Sequence, residues 1–423
     1  MNQSLNYIST ILFALAITHS FLSKPILELA HTFPKYKKTW HLLSEVEIVF
    51  GLWGLVFLII SLGNIGFNST LEFLNHLSFV EPLFVFVVMV IAASNPILNF
   101  ITSLISKMTL LFKKNQSVIF YGLILSAIPL FGSLITEPAA MTLAALLLKE
   151  HFYSKNISTP LMYATLAVLF VNISIGGLLT PYAAPPVLMV ANKWGWDLSF
   201  MLLTFGWKSV LVVFFNTYVL TQIFNDEIKS VKVNLTKIAS TPIPFYVIAI
   251  HLAFLIATVY FSHHAAIFFG VFLLFLAYVL IHKEHQNKLI IKEGLLVASF
   301  LAGIVVLGQG QVWWLTKVVG DFGVDATFYS TALLTPFVDN AALTYLGSLL
   351  PDVHYDYQYA LVAGAMAAGG LTVIANAPNP AGYSILSKYF KKDAFNPLVF
   401  FGYALAPTIF AMFIFRVFAS IDA

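Results

Sequence analysis

The chain has 423 residues, of which 59% are hydrophobic and 10% are Asp, Glu, Lys or Arg, with a formal net charge of +3. A soluble domain carries about 25% charged residues, so a water-soluble globular fold is excluded, and so is a strongly basic face of the kind that binds nucleic acid. The absence of cysteine removes disulfides, thiolate metal sites and thiol nucleophiles.

Apolar runs recur from one end to the other, each near the ~20 residues that a helix needs to cross a bilayer. Residues 1–6 hold no Lys or Arg, so the first run is expected to be a retained helix and not a signal peptide. Spans are expected near 7–29, 45–63 and 81–105. Next comes an apolar piece, 118–149, interrupted by Pro129, Gly132 and Pro138. A span over 158–190 is broken at Gly176-Gly177-Leu178-Leu179-Thr180-Pro181, and another covers 198–224. A polar linker with Lys229, Lys232 and Lys237 then separates residues 1–225 from 242–423. The second half repeats the plan. Spans fall near 243–261, 265–282 and 291–316, an interrupted piece covers 321–350, a broken span 357–388, and a last span 396–419.

Lysine placement tests this plan. If the N-terminus is outside and the pieces 118–149 and 321–350 are re-entrant hairpins, all but five of the 22 basic residues fall on the inner side. The five are Lys24 and Lys208 within spans, and Lys193, Lys317 and Arg416 on or near the outer side. This satisfies the positive-inside rule, whereas a single crossing by 118–149 would flip every later lysine-rich loop outside. The expected fold is therefore an all-α polytopic membrane protein of two inverted repeats, each with five crossings, one hairpin and one broken helix. The linker 226–241 is expected to be cytoplasmic and both termini extracytoplasmic. Inverted repeats with broken helices at the midplane are the architecture of secondary transporters.

One motif occurs in both hairpins. Ile135-Thr136-Glu137-Pro138-Ala139-Ala140-Met141-Thr142 is matched by Phe337-Val338-Asp339-Asn340-Ala341-Ala342-Leu343-Thr344, with Glu137 and Asp339 202 positions apart. A carboxylate at membrane depth is expensive and marks function. It can hold a cation or a proton, and competition between the two couples sodium (or lithium) movement to proton movement. Pro138 and Asn340 disfavour continuous helix and free backbone carbonyls. Thr136, Thr142, Asn340 and Thr344 offer neutral oxygens, which suit a hard ion such as sodium. The two breaks, Asn172 to Pro186 and Gly369 to Pro380, pair Gly-Gly with prolines that expose carbonyls. The transported Na+ and H+ are the only ligands expected beyond lipid, and no resident cofactor is.

The alternation of hairpin, Gly-Gly break and proline-rich tail resembles the ion transporter superfamily. That group includes divalent-anion/sodium symporters, arsenite exporters and sodium/proton antiporters of the NhaD kind. Thr372, Ile374, Asn376, Pro378 and Asn379 match the symporters' second broken-helix pattern. In the first half Thr180 and Pro186 match, but Val187 stands where that pattern has Asn. The acidic tips replace the neutral Ser-Asn-Thr that holds sodium and a substrate carboxylate in the symporters. The resemblance therefore implies the cation/proton antiporter branch. It also implies a site drawn from Glu137, Asp339, Asn340, Thr136, Thr142, Thr344, Thr180, Thr372, Asn376 and Asn379, working by alternating access in a homodimer in the cell (inner) membrane.

Two rivals were weighed. An organic-anion or oxyanion transporter on the same fold would need a cation at the site, such as Lys208. An intramembrane hydrolase finds no Gly-x-Gly-Asp, no Tyr-Asp pair and no His-Glu-x-x-His in the chain. Lys208 itself reads either as a counter-ion to Glu137 or as a snorkelling side chain. Lys24 and Glu28 read as a structural pair, and His19 and His251 as core histidines. Glu45, Glu47, Glu81 and Glu293 read as interfacial. Ser94-Asn95-Pro96 and Gly308-Gln309-Gly310-Gln311 are polar breaks beside the site or merely within the spans.

Overall fold

The computed structural model describes residues 3–233, 243–286, 288–390 and 395–419, without the side chains of Lys24 and His31. Lys237, Lys391 and Lys392, and with them half of the polar linker 226–241, lie outside these residues, as does any Lys24–Glu28 pairing. The described residues form helices and connecting turns, with no strand among them.

In the first half, α1 (Gln3–Phe21) and α2 (Ser23–Thr32) replace the single span expected over 7–29. They are followed by α3 (Lys37–Leu43) and α4 (Val46–Asn75). α4 is longer than expected and kinks at Gly66, whose φ is 78°. The span expected over 81–105 is α5 (Val80–Ala92) and α6 (Asn95–Leu110), bent by 60°. Pro96 sits in the first turn of α6, where its missing N–H matters least, so the helix restarts there. α7 (Gln116–Ile135) and α8 (Glu137–His151) make the first hairpin, and α9 (Thr159–Gly176) and α10 (Pro185–Trp194) the first broken helix. α11 (Leu198–Ile223) and the short α12 (Asn225–Ser230) close the half.

The second half runs α13 (Phe245–Tyr260), α14 (Ala265–Ile281) and α15 (Ile291–Val319). Then come α16 (Val324–Leu334) and α17 (Asn340–Ser348), the broken pair α18 (Tyr355–Ala368) and α19 (Asn379–Leu386), and α20 (Pro397–Val417). Against ten expected crossings, seven described helices are long and apolar enough to cross a membrane singly, or eight if the bent pair counts as one span. α7 is one of the seven, while α13 and α14 are shorter apolar helices.

α7 nevertheless turns back. A Cβ added to Gly132 would lie 3.2 Å from the Cβ of Ala140. In an unbroken helix those positions would be about 12 Å apart. The reversal is made at Thr136, which takes a φ of 73°. The arms of the second hairpin part more widely: α16 packs chiefly on α18, and α17 on α10.

α9 is the axis of the molecule. Every residue from Leu161 to Gly176 is buried, which a helix apolar on all sides permits only in an interior. The halves interlock across it. α10 from the first half packs on α17, and α19 from the second packs on α8. Away from the site, α4 packs on α15 at small residues, with Gly51 against Ser299 and Gly54 against Gly303. Small residues let membrane helices approach closely where no hydrophobic drive separates them from lipid.

Candidate ion site

Each hairpin tip meets the break of the neighbouring helix through three contacts, and the same three occur in both halves. First, a threonine of the break donates to a carbonyl just before the tip: Thr180 Oγ1 to Ser133 O at 2.7 Å, and Thr372 Oγ1 to Pro336 O at 2.9 Å. Second, the backbone N–H that opens the second arm donates to a carbonyl freed by the break: Glu137 N to Ala183 O at 3.4 Å, and Asn340 N to Ala375 O at 3.1 Å. Third, the side chain of that same residue lies on a glycine of the Gly-Gly pair. A Cβ on Gly177 would come within 2.4 Å of Glu137 Oε1, and one on Gly369 within 2.8 Å of Asn340 Nδ2.

These contacts fix a correspondence. Ser133 and Pro336, and Glu137 and Asn340, are both 203 positions apart; Gly177 and Gly369, Thr180 and Thr372, and Ala183 and Ala375 are all 192 apart. The counterpart of Glu137 is thus Asn340, not Asp339 as the motif alignment has it. Asp339 takes the place of Thr136, the residue capping the second arm. Its Oδ1 accepts from Ala341 N at 2.8 Å.

Glu137 is fully buried. Its Oε2 accepts from Nδ2 of Asn376 at 2.9 Å, a bond that ties the first hairpin to the second break. Its Oε1 has no hydrogen-bond partner. Neither do Thr136 Oγ1, Asn340 Oδ1, Asn376 Oδ1 and Asn379 Oδ1, all of them in buried residues. Buried polar atoms are almost always paired. These buried acceptors without donors belong to the two tips and the second break, and the carboxylate among them is a group that a cation or a proton would complete. Beyond Asn376 lies a cavity of about 20 Å³, lined by Glu47, Asp339, Asn376, Ala377 and apolar neighbours. Asn376 links the two acidic residues: it is bonded to Glu137 and lines the cavity that Asp339 also lines.

The remaining sequence candidates divide. Asn379 braces the second break, with Nδ2 donating to the carbonyls of Gly369 (2.8 Å) and Thr372 (2.9 Å). Thr142 and Thr344 direct their hydroxyls at carbonyls one turn back, Pro138 and Asn340, at 2.9 Å each. Lys208 is buried, with Nζ 3.2 Å from the hydroxyl of Tyr359 and 4.7 Å over its ring, and it makes no ion pair with Glu137. His19 is half-buried and held by Leu43 O and Trp53 Nε1, whereas His251 is buried as a core histidine. Asn95 bonds His285 O, while Gln311 bonds Leu307 O and Ser9 Oγ, and Gln309 donates to the Tyr345 hydroxyl on α17, the second arm of the second hairpin. Glu47, read above as interfacial, is half-buried in the first turn of α4 and lines the cavity with Asp339, a neighbourhood the sequence did not signal. Sequence reasoning missed Ser174, whose Oγ a Cβ on Gly369 would overrun at 2.3 Å. Ser174 was legible as part of the first break, two residues before its Gly-Gly pair.

Apolar helices of spanning length and broken helices, with a carboxylate sealed among them, define a polytopic helical membrane protein. The chain belongs to the family described as "Putative Na+/H+ antiporter", whose model matches residues 4–418. It is a membrane transporter of that family. Among curated proteins none matches.

Proposed function

We propose that the protein is a sodium (or lithium)/proton antiporter in which cation and proton compete for Glu137, with Asp339 as the second acidic group. The observation that carries this reading is the state of Glu137: wholly buried, with one oxygen held by Asn376 and the other facing no donor. A carboxylate in that position is stable only with a proton or a positive ion beside it. Asn376, Asn340 and Thr136 are neutral oxygen donors of the kind sodium takes. The size of the space favours an inorganic cation over the anion reading: about 20 Å³ beside Asp339 is room for roughly one water-sized body. No cationic side chain lines it.

The matched contacts of the two tips support an inverted duplication, residues 1–225 and 242–423 around a cytoplasmic linker, with hairpins entering from opposite faces. The interlocked pairs α10–α17 and α19–α8 would make the site a single body that moves against the α4–α15 scaffold, as alternating access requires. In this reading the chain works as a homodimer in the inner membrane with both ends outside.

The test uses everted vesicles with an imposed proton gradient and a pH-reporting dye. Sodium or lithium should cause dequenching, while potassium and a dicarboxylate should not. Glu137→Gln should abolish the response. A response to sodium that survives both Glu137→Gln and Asp339→Asn would remove these carboxylates from the mechanism. A response to dicarboxylate alone would replace the antiporter with an anion carrier.

A further inference from the structure

We infer that Glu47 and Asp339 form a second cation station, in series with Glu137 through the side chain of Asn376. The inference rests on the antiporter reading and extends it to a residue outside both repeated motifs. Glu47 lies in the first turn of α4, where an acidic side chain is favoured by the helix dipole and ordinarily points to water. Glu45, just before that turn, does so: it is paired with Lys292 at 2.9 Å, with both side chains part-exposed. Residues two apart do not share a helix face. Glu47 is turned the other way and is half-buried, lining the cavity that Asp339 also lines.

Two carboxylates that line one cavity repel each other unless a cation or a proton lies between them. The other lining residues are Val46, Phe300, Ile374, Asn376, Ala377 and Pro380, none of them basic. Lys292 is near enough to act on Glu47 electrostatically, but its ammonium is bonded to Glu45 and it does not line the cavity, so no basic side chain bridges Glu47 and Asp339 there. A second observation points to a ligand. Asn376 is 1% exposed and lines the cavity, and with its Nδ2 on Glu137 its unpartnered Oδ1 is the polar atom it offers there.

About 20 Å³ accommodates one ion of sodium's or lithium's size. Magnesium would have to shed waters that it gives up reluctantly. An ion held by Glu47, Asp339 and Asn376 Oδ1 would be one side chain away from Glu137, because the same amide reaches both sites. Asn376 would then pass the effect of an ion at either station to the other.

Sodium-dependent antiport by wild type, E47Q, E47D and E45Q, measured over a range of sodium concentrations, tests this. Correct folding of each variant is checked by size-exclusion profile in detergent. E47Q should raise the sodium KM about tenfold, the effect of losing one charged ligand. E47D, which keeps the charge on a shorter stem, should raise it less. E45Q should match wild type. If E47Q does not fold, E47D alone decides, since a wild-type KM in it would overturn the inference. E47Q within about twofold of wild type would overturn the inference and leave the Glu137 mechanism standing. A wild type that exchanges no cation for protons would overturn both.

Discussion

Asn376 is the residue on which the two halves of the site depend. A hydrogen bond to a charged group contributes about 1.5–3 kcal/mol. The bond from Asn376 Nδ2 is the described side-chain bond to the Glu137 carboxylate. Asn376→Ala should therefore weaken apparent sodium affinity by about 10- to 100-fold, measured as the sodium KM of antiport in vesicles. Expression should be near normal, because the substitution removes a polar group from a polar pocket. Asn376→Asp would place a third carboxylate beside Glu137 and Asp339, and should weaken affinity less than Ala while moving the pH of half-maximal activity upward, since crowded carboxylates hold protons more tightly. An alanine variant with unchanged sodium KM would show that the amide has no part in binding. The first half has no equivalent: by the spacing of the matched contacts its place is taken by Ala184, and that of Asn379 by Val187. The site is thus asymmetric in composition although its scaffold contacts recur. One half supplies the fully buried carboxylate and the other supplies the amides.

At the scale of elements, each tip is seated by a glycine. Gly177 and Gly369 are needed because the neighbouring side chain occupies the place of a Cβ. At Gly177 that neighbour is Glu137 itself, at 2.4 Å. Gly177→Ala must displace the carboxylate or push α9 from α8, and core overpacking of this sort costs about 1–3 kcal/mol. The expected outcome is a folded protein with a melting temperature lowered by a few degrees and antiport largely lost, read by thermal shift and dye dequenching on the same preparation. Gly270→Ala, where nothing lies within 4 Å of the added atom, is the control and should change neither. Normal transport by Gly177→Ala would mean that Glu137 does not need its observed position.

Much of this level could be read from residues alone. Carboxylates in apolar sequence, Gly-Gly pairs and proline clusters each carry a local physical signal, and they located both tips and both breaks. The register between the tips was not legible. Ala-Ala followed by a bulky residue and Thr aligns Glu137 with Asp339, and small helical residues after a turn accept a shift of one without penalty. Only the three contacts of each tip with its break distinguish the two alignments. Glu47 was hidden because an acid in the first turn of a helix is unremarkable at a membrane surface. The break at Leu22 was missed because no glycine or proline stands there, with Pro25 three residues later in the first turn of α2.

The whole molecule is defined by whether 118–149 enters and leaves on one side. The turn at Thr136 brings Gly132 against Ala140, and in the proposed topology Lys113 and Lys114 before α7 and Lys149 and Lys155 after it would place both ends of the hairpin on the lysine-rich inner face. The natural lack of cysteine makes this directly testable, since any single introduced cysteine is the only thiol. In intact cells, Lys113→Cys and Lys155→Cys should both resist a membrane-impermeant maleimide and react only after the inner face is opened. His263→Cys, between α13 and α14, should react from outside. Opposite accessibility of positions 113 and 155 would turn α7 and α8 into a crossing and place every later lysine loop outside. The second half would then be parallel to the first, and the tips could not approach from opposite faces. The recurrence of the tip contacts argues against that outcome. Two tips seated on two broken helices by the same three contacts, with each half's broken helix packed on the other half's hairpin, form an exchange that a duplicated unit can make when one copy is inverted. Protection of both flanking positions, with His263→Cys labelled, would supply the orientation that the proposed inverted duplication requires.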